Sequence, residues 1–349
     1  MTHPVHLLGL STAVPPHLLR QSDVAAQAHE IFADRYLNFV RMAPVFQNAG
    51  IIQRYSARPL PWFLEPQGWR ARTAAYLEVA GDLFVEAARK ALGAAGIRAD
   101  QVDTVVTISS TGIATPSLEA RAAAAMGFRS DIQRVPVFGL GCAGGVSGVA
   151  IAGRMAAAAP GSIVLLVVIE LCSLAFRHDE LTKANIVATA LFGDGAAACV
   201  MSTEGAGFAT IAAAGEHLWP NTLDIMGWEM DSQGFGVIFA QAIPSFAARN
   251  MRPAVDGILA AAGLSCADID RFICHPGGIK VINALEKCFD LEAGTLVHER
   301  AVLADHGNMS APTALFVLDA NVKAGLAPRS ALIAMGPGFT ASGVVLDAA

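Results

Sequence analysis

Two stretches of this chain repeat each other. Gly96-Ile97 followed by Val102-Asp103-Thr104-Val105-Val106 lines up with Gly263-Leu264 followed by Ile269-Asp270-Arg271-Phe272-Ile273, 167 residues further on. At that offset Ile108 falls on His275. At an offset of 168, Ser162-Ile163-Val164 falls on Ser330-Ala331-Leu332, and Cys142 falls on Ser310, two residues beyond Asn308. Each half therefore reads helix, strand, loop, then a second helix and strand. Such a repeat means one unit present twice. Packed about a pseudo-dyad, the two units would bring their strand-end loops together at the centre. The expected division is 1–205 and 206–349. Short apolar runs at 5–10, 104–109, 163–169, 271–274, 331–335 and 344–346 alternate with helical stretches at 73–95, 116–126, 145–159, 243–262, 280–289 and 311–324. Continuous apolar strands with helices between them predict an α/β fold with a mostly parallel sheet.

Composition narrows the function. Hydrophobic residues make up 54% and charged residues 15% of the 349, which excludes a disordered chain. A net charge of -6 leaves no electrostatic footprint for nucleic acid. Anionic small molecules need only a local basic patch. The six cysteines form no C-x-x-C pair and no zinc-site spacing, so a reducing cytoplasm is expected. The first residues lack the basic and apolar regions of a signal peptide. The run 163–169 stops at Glu170, short of the ~20 residues a membrane helix needs, so a soluble protein without a membrane span is expected.

The segment Gly139-Leu140-Gly141-Cys142-Ala143-Gly144-Gly145 carries the most chemistry. A strand ends, glycines follow, and an Ala-rich helix begins at Cys142. Unpaired N–H groups and the dipole of a helix N-terminus favour a thiolate. The glycines let a bulky thioester approach the backbone, and the Cys142 N–H can serve an oxyanion. The other five cysteines read as small packing residues. A thiolate needs a base or cation beside it. His275 ends a strand and opens His275-Pro276-Gly277-Gly278, and the repeat brings it toward Cys142. Asn308, in Gly307-Asn308-Met309-Ser310, precedes the counterpart of the Cys142 helix. His306 is an alternative base without a strand anchor. Gly336-Pro337-Gly338 follows a strand, and Gly336 and Gly338 either form a plain turn or let backbone pass close to substrate.

These motifs, together with Ala190-Leu191-Phe192-Gly193-Asp194-Gly195-Ala196-Ala197, resemble those of the type III polyketide synthases, the chalcone and stilbene synthases and their bacterial relatives. The matches lie in order from about Arg54 to Gly338, and Thr111-Gly112-Ile113-Ala114-Thr115-Pro116-Ser117 looks like the bacterial branch. The resemblance implies a thiolase fold, a duplicated α-β-α-β-α five-layer sandwich, working as a homodimer. It implies a catalytic Cys142–His275–Asn308 triad. An acyl-CoA starter would load on Cys142, with His275 holding the thiolate as an imidazolium. His275 and Asn308 would then bind the enolate formed as malonyl-CoA loses CO2. No metal or redox cofactor is implied, because decarboxylation supplies the carbanion. Phe192 matches a phenylalanine at the mouth of the CoA tunnel, and Arg54 an arginine at the CoA phosphate entrance. Val237 stands where plant members carry a second gate phenylalanine, and Cys172 and Ala175 where they carry threonines after the acid matched by Glu170. These changes predict a roomier, more apolar cavity, an aliphatic starter, and an alkylpyrone, alkylresorcinol or related aromatic product.

Three rivals share part of the pattern. A 3-ketoacyl-carrier-protein synthase III shares the fold and triad but makes one condensation. A cysteine α/β-hydrolase would use an acid such as Asp194, and leaves the Asn308 motif unexplained. A non-catalytic acyl-CoA binder needs no nucleophile.

Overall fold

The repeated stretches become strands with matching neighbours. The computed structural model describes residues 3–349. Its strands are β1 (His6–Ala13), β2 (His17–Arg20), β3 (Gln53–Ser56), β4 (Thr104–Ile108), β5 (Gln133–Val137), β6 (Val164–Leu171), β7 (Asp194–Ser202), β8 (Ala209–Leu218), β9 (Met226–Met230), β10 (Phe235–Phe239), β11 (Arg271–Cys274), β12 (Arg329–Gly336) and β13 (Thr340–Ala348). Its helices are α1 (Gln21–Phe32), α2 (Phe39–Met42), α3 (Pro44–Gln47), α4 (Trp69–Ala95), α5 (Leu118–Met126), α6 (Gly144–Ala158), α7 (Lys183–Leu191), α8 (Ile243–Ala260), α9 (Ile279–Cys288), α10 (Val297–His306) and α11 (Thr313–Ala324).

In the first half β4 runs parallel to β6, β6 antiparallel to β7, and β7 antiparallel to β1. The second half repeats this pattern. There β11 runs parallel to β12, β12 antiparallel to β13, and β13 antiparallel to β8. The two sets join where β1 meets β8, at His6↔Thr210 and Leu7↔Ala209, giving a 9-stranded order β11-β12-β13-β8-β1-β7-β6-β4-β5. The expectation of a mostly parallel sheet is therefore corrected. Parallel pairing is confined to β4–β5, β4–β6 and β11–β12. The antiparallel strands β7 (DGAAACVMS) and β8 (ATIAAAGEHL) are hidden in the sequence by alanine and glycine, which have low strand propensity. Burial decides for β7, which is covered along its whole length.

Helices α6 and α11 lie between the two sets of strands. Val146, Val149, Leu315 and Leu318 pack there with Val106 and Leu166 from one set and Ile273 and Leu332 from the other. Helix α4 covers the outer face of β1, β6 and β7, while α8 and α9 cover the outer face of the second half. This is the five-layer α-β-α-β-α sandwich of the thiolase fold. The central layer demands small residues. A Cβ on Gly145 would lie 2.2 Å from the Ala311 carbonyl oxygen, so α6 and α11 meet backbone to backbone. Among the described residues, no helix is long and apolar enough to cross a membrane.

Candidate active site

Cys142 sits in a single 3-10 turn, Gly141–Ala143, that runs directly into α6. The turn needs its glycines, since Gly139 and Gly141 have φ of 95° and 47°, a region that side chains rarely enter. Their N–H groups both donate to Ser110 Oγ, at 3.1 and 3.2 Å, which ties the turn to the end of β4. Gly336 backs the same turn. Its Cβ would meet the Leu140 carbonyl and the Ala143 Cβ, each at 2.6 Å. Gly336 thus admits the cysteine turn rather than substrate. Gly338, at φ 85°, serves the β12–β13 turn, and its carbonyl accepts from the Thr222 hydroxyl at 3.0 Å.

His275 follows β11 and is fixed by its N–H to the Ile333 carbonyl, 2.8 Å away. Only 4% of it is exposed, yet among the described residues neither ring nitrogen has a hydrogen-bond partner. A buried polar group in that state costs about 1–3 kcal/mol until something pairs with it. Asn308 joins the His275 loop to the Cys142 turn. Its Nδ2 donates to the Gly277 carbonyl at 3.2 Å, and its Oδ1 accepts from the Ser310 N–H at 2.8 Å. The Ser310 hydroxyl lies near enough to the Cys142 thiol to ease its ionisation. Ser310 has φ 59°, a strained value for a non-glycine residue of the kind found at functional sites. The Cys142–Ser310 correspondence in the repeat has become a contact. His306 lies elsewhere, its ring stacked on Tyr55 and edge-on to Phe316.

Burial governs the protonation of the site. It pushes the Cys142 thiol up to about 11, with Glu170 adding to the rise and the Ser310 hydroxyl opposing it. It lowers His275 to about 4. Burial thus opposes a charge on either group taken alone. Glu170, fully buried, rises to about 8 for the same reason, although the Ser110 N–H and the Thr111 hydroxyl both bond it.

Phe192 follows α7 with its ring edge-on to Trp228 and Phe239. Val237 is buried on β10 directly across from Trp228, so the room expected from valine is shared with a larger ring. Cys172 and Ala175 lie in the buried turn after β6. Burial pushes the Cys172 thiol well up, and the nearby Glu170, Asp194 and Cys142 add to the rise. Arg54 requires a correction. It is not at an entrance but 3% exposed, with its guanidinium donating to the carbonyls of Thr189, Ala190 and Phe192. Helix α7 separates two cavities. A cleft of about 740 Å³ is bordered by Arg41, Lys183, Lys280, Leu191, Phe239 and Gly277. A narrow apolar cavity of about 70 Å³ lies between α1 and α7, with Cys172, Phe176 and Phe192 in its wall. Sequence reasoning passed over Trp228, Phe239 and the structural role of Ser110. The Asp231-Ser232-Gln233-Gly234 turn between β9 and β10 was the one available signal for the hairpin.

Comparisons with known proteins agree with this geometry. Sequence models described as chalcone and stilbene synthases, N-terminal and C-terminal domains, match residues 68–205 and 210–349. The chain is 38% identical to a 1,3,6,8-tetrahydroxynaphthalene synthase of Streptomyces peucetius over 344 residues, covering 96% of this chain and 91% of that one. It is 29% identical to the alpha-pyrone synthesis polyketide synthase-like Pks18 of Mycobacterium tuberculosis, covering 97% and 90%. The crystal structure of the 1,3,6,8-tetrahydroxynaphthalene synthase of Streptomyces coelicolor A3(2), a bacterial type III polyketide synthase, superposes with a TM-score of 0.93 at 26% identity, covering 98% and 99%.

Proposed function

The chain belongs to the chalcone and stilbene synthase family of type III polyketide synthases, acyltransferases that use CoA thioesters, and from that premise we propose that it carries an aliphatic acyl starter on Cys142 and extends it repeatedly with malonyl-CoA. The observation that carries this reading is the buried His275 imidazole with both nitrogens unpaired, joined through Gly277 and Asn308 to the Cys142 turn.

The Cys142 proton passes to His275 as sulfur attacks the acyl-CoA carbonyl. The departing CoA thiolate takes that proton, which leaves neutral His275 and acyl-Cys142. Malonyl-CoA then enters. A His275 ring N–H and the second Nδ2 hydrogen of Asn308 donate to its thioester oxygen. The C–C bond to the carboxylate breaks, CO2 leaves, and the electron pair becomes the enolate. The enolate carbon attacks the acyl carbonyl on Cys142, and the C–S bond breaks to release the thiolate. The lengthened chain, now on CoA, returns to Cys142. No metal or redox partner enters these steps.

The wide cleft suits CoA, with Arg41, Lys183 and Lys280 available to its phosphates. The lining of the small cavity beside Cys172 is apolar, which favours an alkyl group over a polar one there. An alkylpyrone, alkylresorcinol or related aromatic product follows from such a starter. We read 1–205 and 206–349 as the two thiolase-like halves, supported by the recurrence of strand pairing. A homodimer is supported by the edge strand β5, with Ile113 and Phe138 exposed beside it. A cytoplasmic enzyme suits six free cysteines.

The test is a starter competition. Octanoyl-CoA, hexanoyl-CoA, acetyl-CoA and malonyl-CoA compete for Cys142, and products are read by mass spectrometry. Preference for the alkyl starters, with several C2 units added, supports the reading. Strict use of malonyl-CoA as starter overturns the aliphatic assignment.

A further inference from the structure

Arg54 is too well connected to be a packing residue, and what it holds points to the chemistry. Its Nη1 donates to the Thr189 carbonyl at 2.8 Å and to the Phe192 carbonyl at 2.9 Å, and its Nη2 donates to the Ala190 carbonyl at 2.9 Å. These are carbonyls that the end of α7 leaves without helical partners. Gln21 completes the clamp. Its Oε1 accepts from Arg54 Nη2, and its Nε2 donates to the Ala190 and Phe46 carbonyls at 3.1 and 3.0 Å. On the other side of the same segment lies Asn308. Its N–H donates to the Leu191 carbonyl at 2.8 Å, and its carbonyl accepts from the Gly193 N–H at 3.0 Å, so the two strands of chain bridge around Phe192. The Cβ of Arg54 also lies against Gly193 and Gly307, where no larger residue fits.

Residues 189–193 are thus gripped by Arg54 and Gln21 from one side and grip Asn308 on the other. We propose that Arg54, assisted by Gln21, is a positioning residue that sets the placement of Asn308, and with it the malonyl-decarboxylation step, while leaving Cys142 loading alone. The Cys142 turn has anchors of its own besides Asn308, namely Ser110 and the close approach of Gly336. Lysine at position 54 keeps the charge that Asp194 balances, but a single ammonium cannot reproduce the planar fork that holds three carbonyls. A displacement of Asn308 by about 1 Å is enough to cost on the order of 10²-fold in a step that depends on it. This inference rests on the role given to Asn308 above.

The experiment splits the two half-reactions in the full-length enzyme. Octanoyl loading on Cys142 is followed by intact-protein mass spectrometry, and decarboxylation of malonyl-CoA by release of labelled CO2. Both are measured for the wild type, Arg54→Lys, Gln21→Met and Asn308→Ala, with a melting curve for each. Arg54→Lys should decarboxylate about 10²-fold more slowly, with loading within about threefold of wild type. Gln21→Met, which preserves volume and leaves Arg54 in place, should show the same split at about 10-fold or less, and keeps the test open if Arg54→Lys folds poorly. Loading and decarboxylation falling together in both variants would overturn the inference, because that is what general loosening does. So would decarboxylation that stays at the wild-type rate in both while Asn308→Ala loses it. Wild-type decarboxylation by Asn308→Ala would instead overturn the role of Asn308, and the inference with it.

Discussion

Replacing Glu170 with glutamine tests the electrostatics of the site quantitatively. Burial raises this carboxyl from 4.5 to about 8, against the bonds from Ser110 and Thr111. Between those values the folded chain keeps a proton that the unfolded chain has released. The stability contributed by the protonated acid is complete below 4.5 and is lost as pH rises through about 8. The slope is about 1.4 kcal/mol per pH unit, so the wild type loses about 2 kcal/mol to this group between about pH 6.5 and pH 8. Glu170→Gln does not titrate. It also turns an amide N–H toward donors, since the Ser110 N–H reaches both carboxyl oxygens, at 3.1 and 2.9 Å, and the Thr111 hydroxyl reaches one at 2.7 Å. That mismatch costs about 1–3 kcal/mol at every pH. The variant is therefore weaker overall but flatter with pH. Urea unfolding at the two pH values, read by fluorescence and circular dichroism, gives both numbers. His275, falling to about 4, and Asp194, rising to about 6, titrate below this window, and Cys142, at about 11, above it. Asp194 and Cys142 also feel the Glu170 charge, so the difference between the two proteins includes their response to its loss. Equal pH slopes for wild type and variant would refute the account of Glu170 as a buried, protonated acid.

Other consequences are equally direct. Gly145→Ala places a Cβ 2.2 Å from the Ala311 carbonyl oxygen, where only backbone can yield, so α6 and α11 must separate at a cost of about 3 kcal/mol or more, read as a lowered urea midpoint. His275 is neutral in the fold because burial lowers it from 6.5 to about 4, so its contribution to stability is lost as pH falls through that interval, by roughly 3 kcal/mol in all, and His275→Gln should show a flatter acid limb in the same unfolding assay. Ser310→Ala removes the hydroxyl that eases ionisation of the Cys142 thiol, an effect of about 1 kcal/mol, and should slow alkylation of Cys142 by iodoacetamide about fivefold without lowering the melting temperature by more than a few degrees.

Much of the site was legible in the sequence because each signal was local. The glycines around Cys142 announce a turn whose φ values only glycine adopts readily, and the repeat aligns His275 with Ile108 and Ser310 with Cys142. The structure adds the contacts that join them, Gly277 to Asn308 and Ser310 to Cys142, which are short in space and long in sequence. The resemblance put Arg54 at the CoA phosphate entrance, yet the side chain is buried, which is unusual for an arginine. Only the carbonyls ending α7, a helix the residue pattern did not reveal, explain its burial. Trp228 was passed over because its partner Phe192 lies at the end of α7, 36 residues earlier, and no sequence period marks such a contact. The alanine-rich β7 lacks the β-branched run that marks β6, so the antiparallel half of the sheet could not be read before burial was known.

Trapping the chain on the enzyme tests the central claim most directly. The protein is mixed with octanoyl-CoA and malonyl-CoA, quenched in acid, digested, and each cysteine peptide is weighed. The account predicts the Cys142 peptide as a ladder, carrying the octanoyl group and the same group lengthened by successive ketide units, with the other five cysteines unmodified. Cys142 carrying the starter with no added unit, or an acyl ladder on a different cysteine, would contradict it.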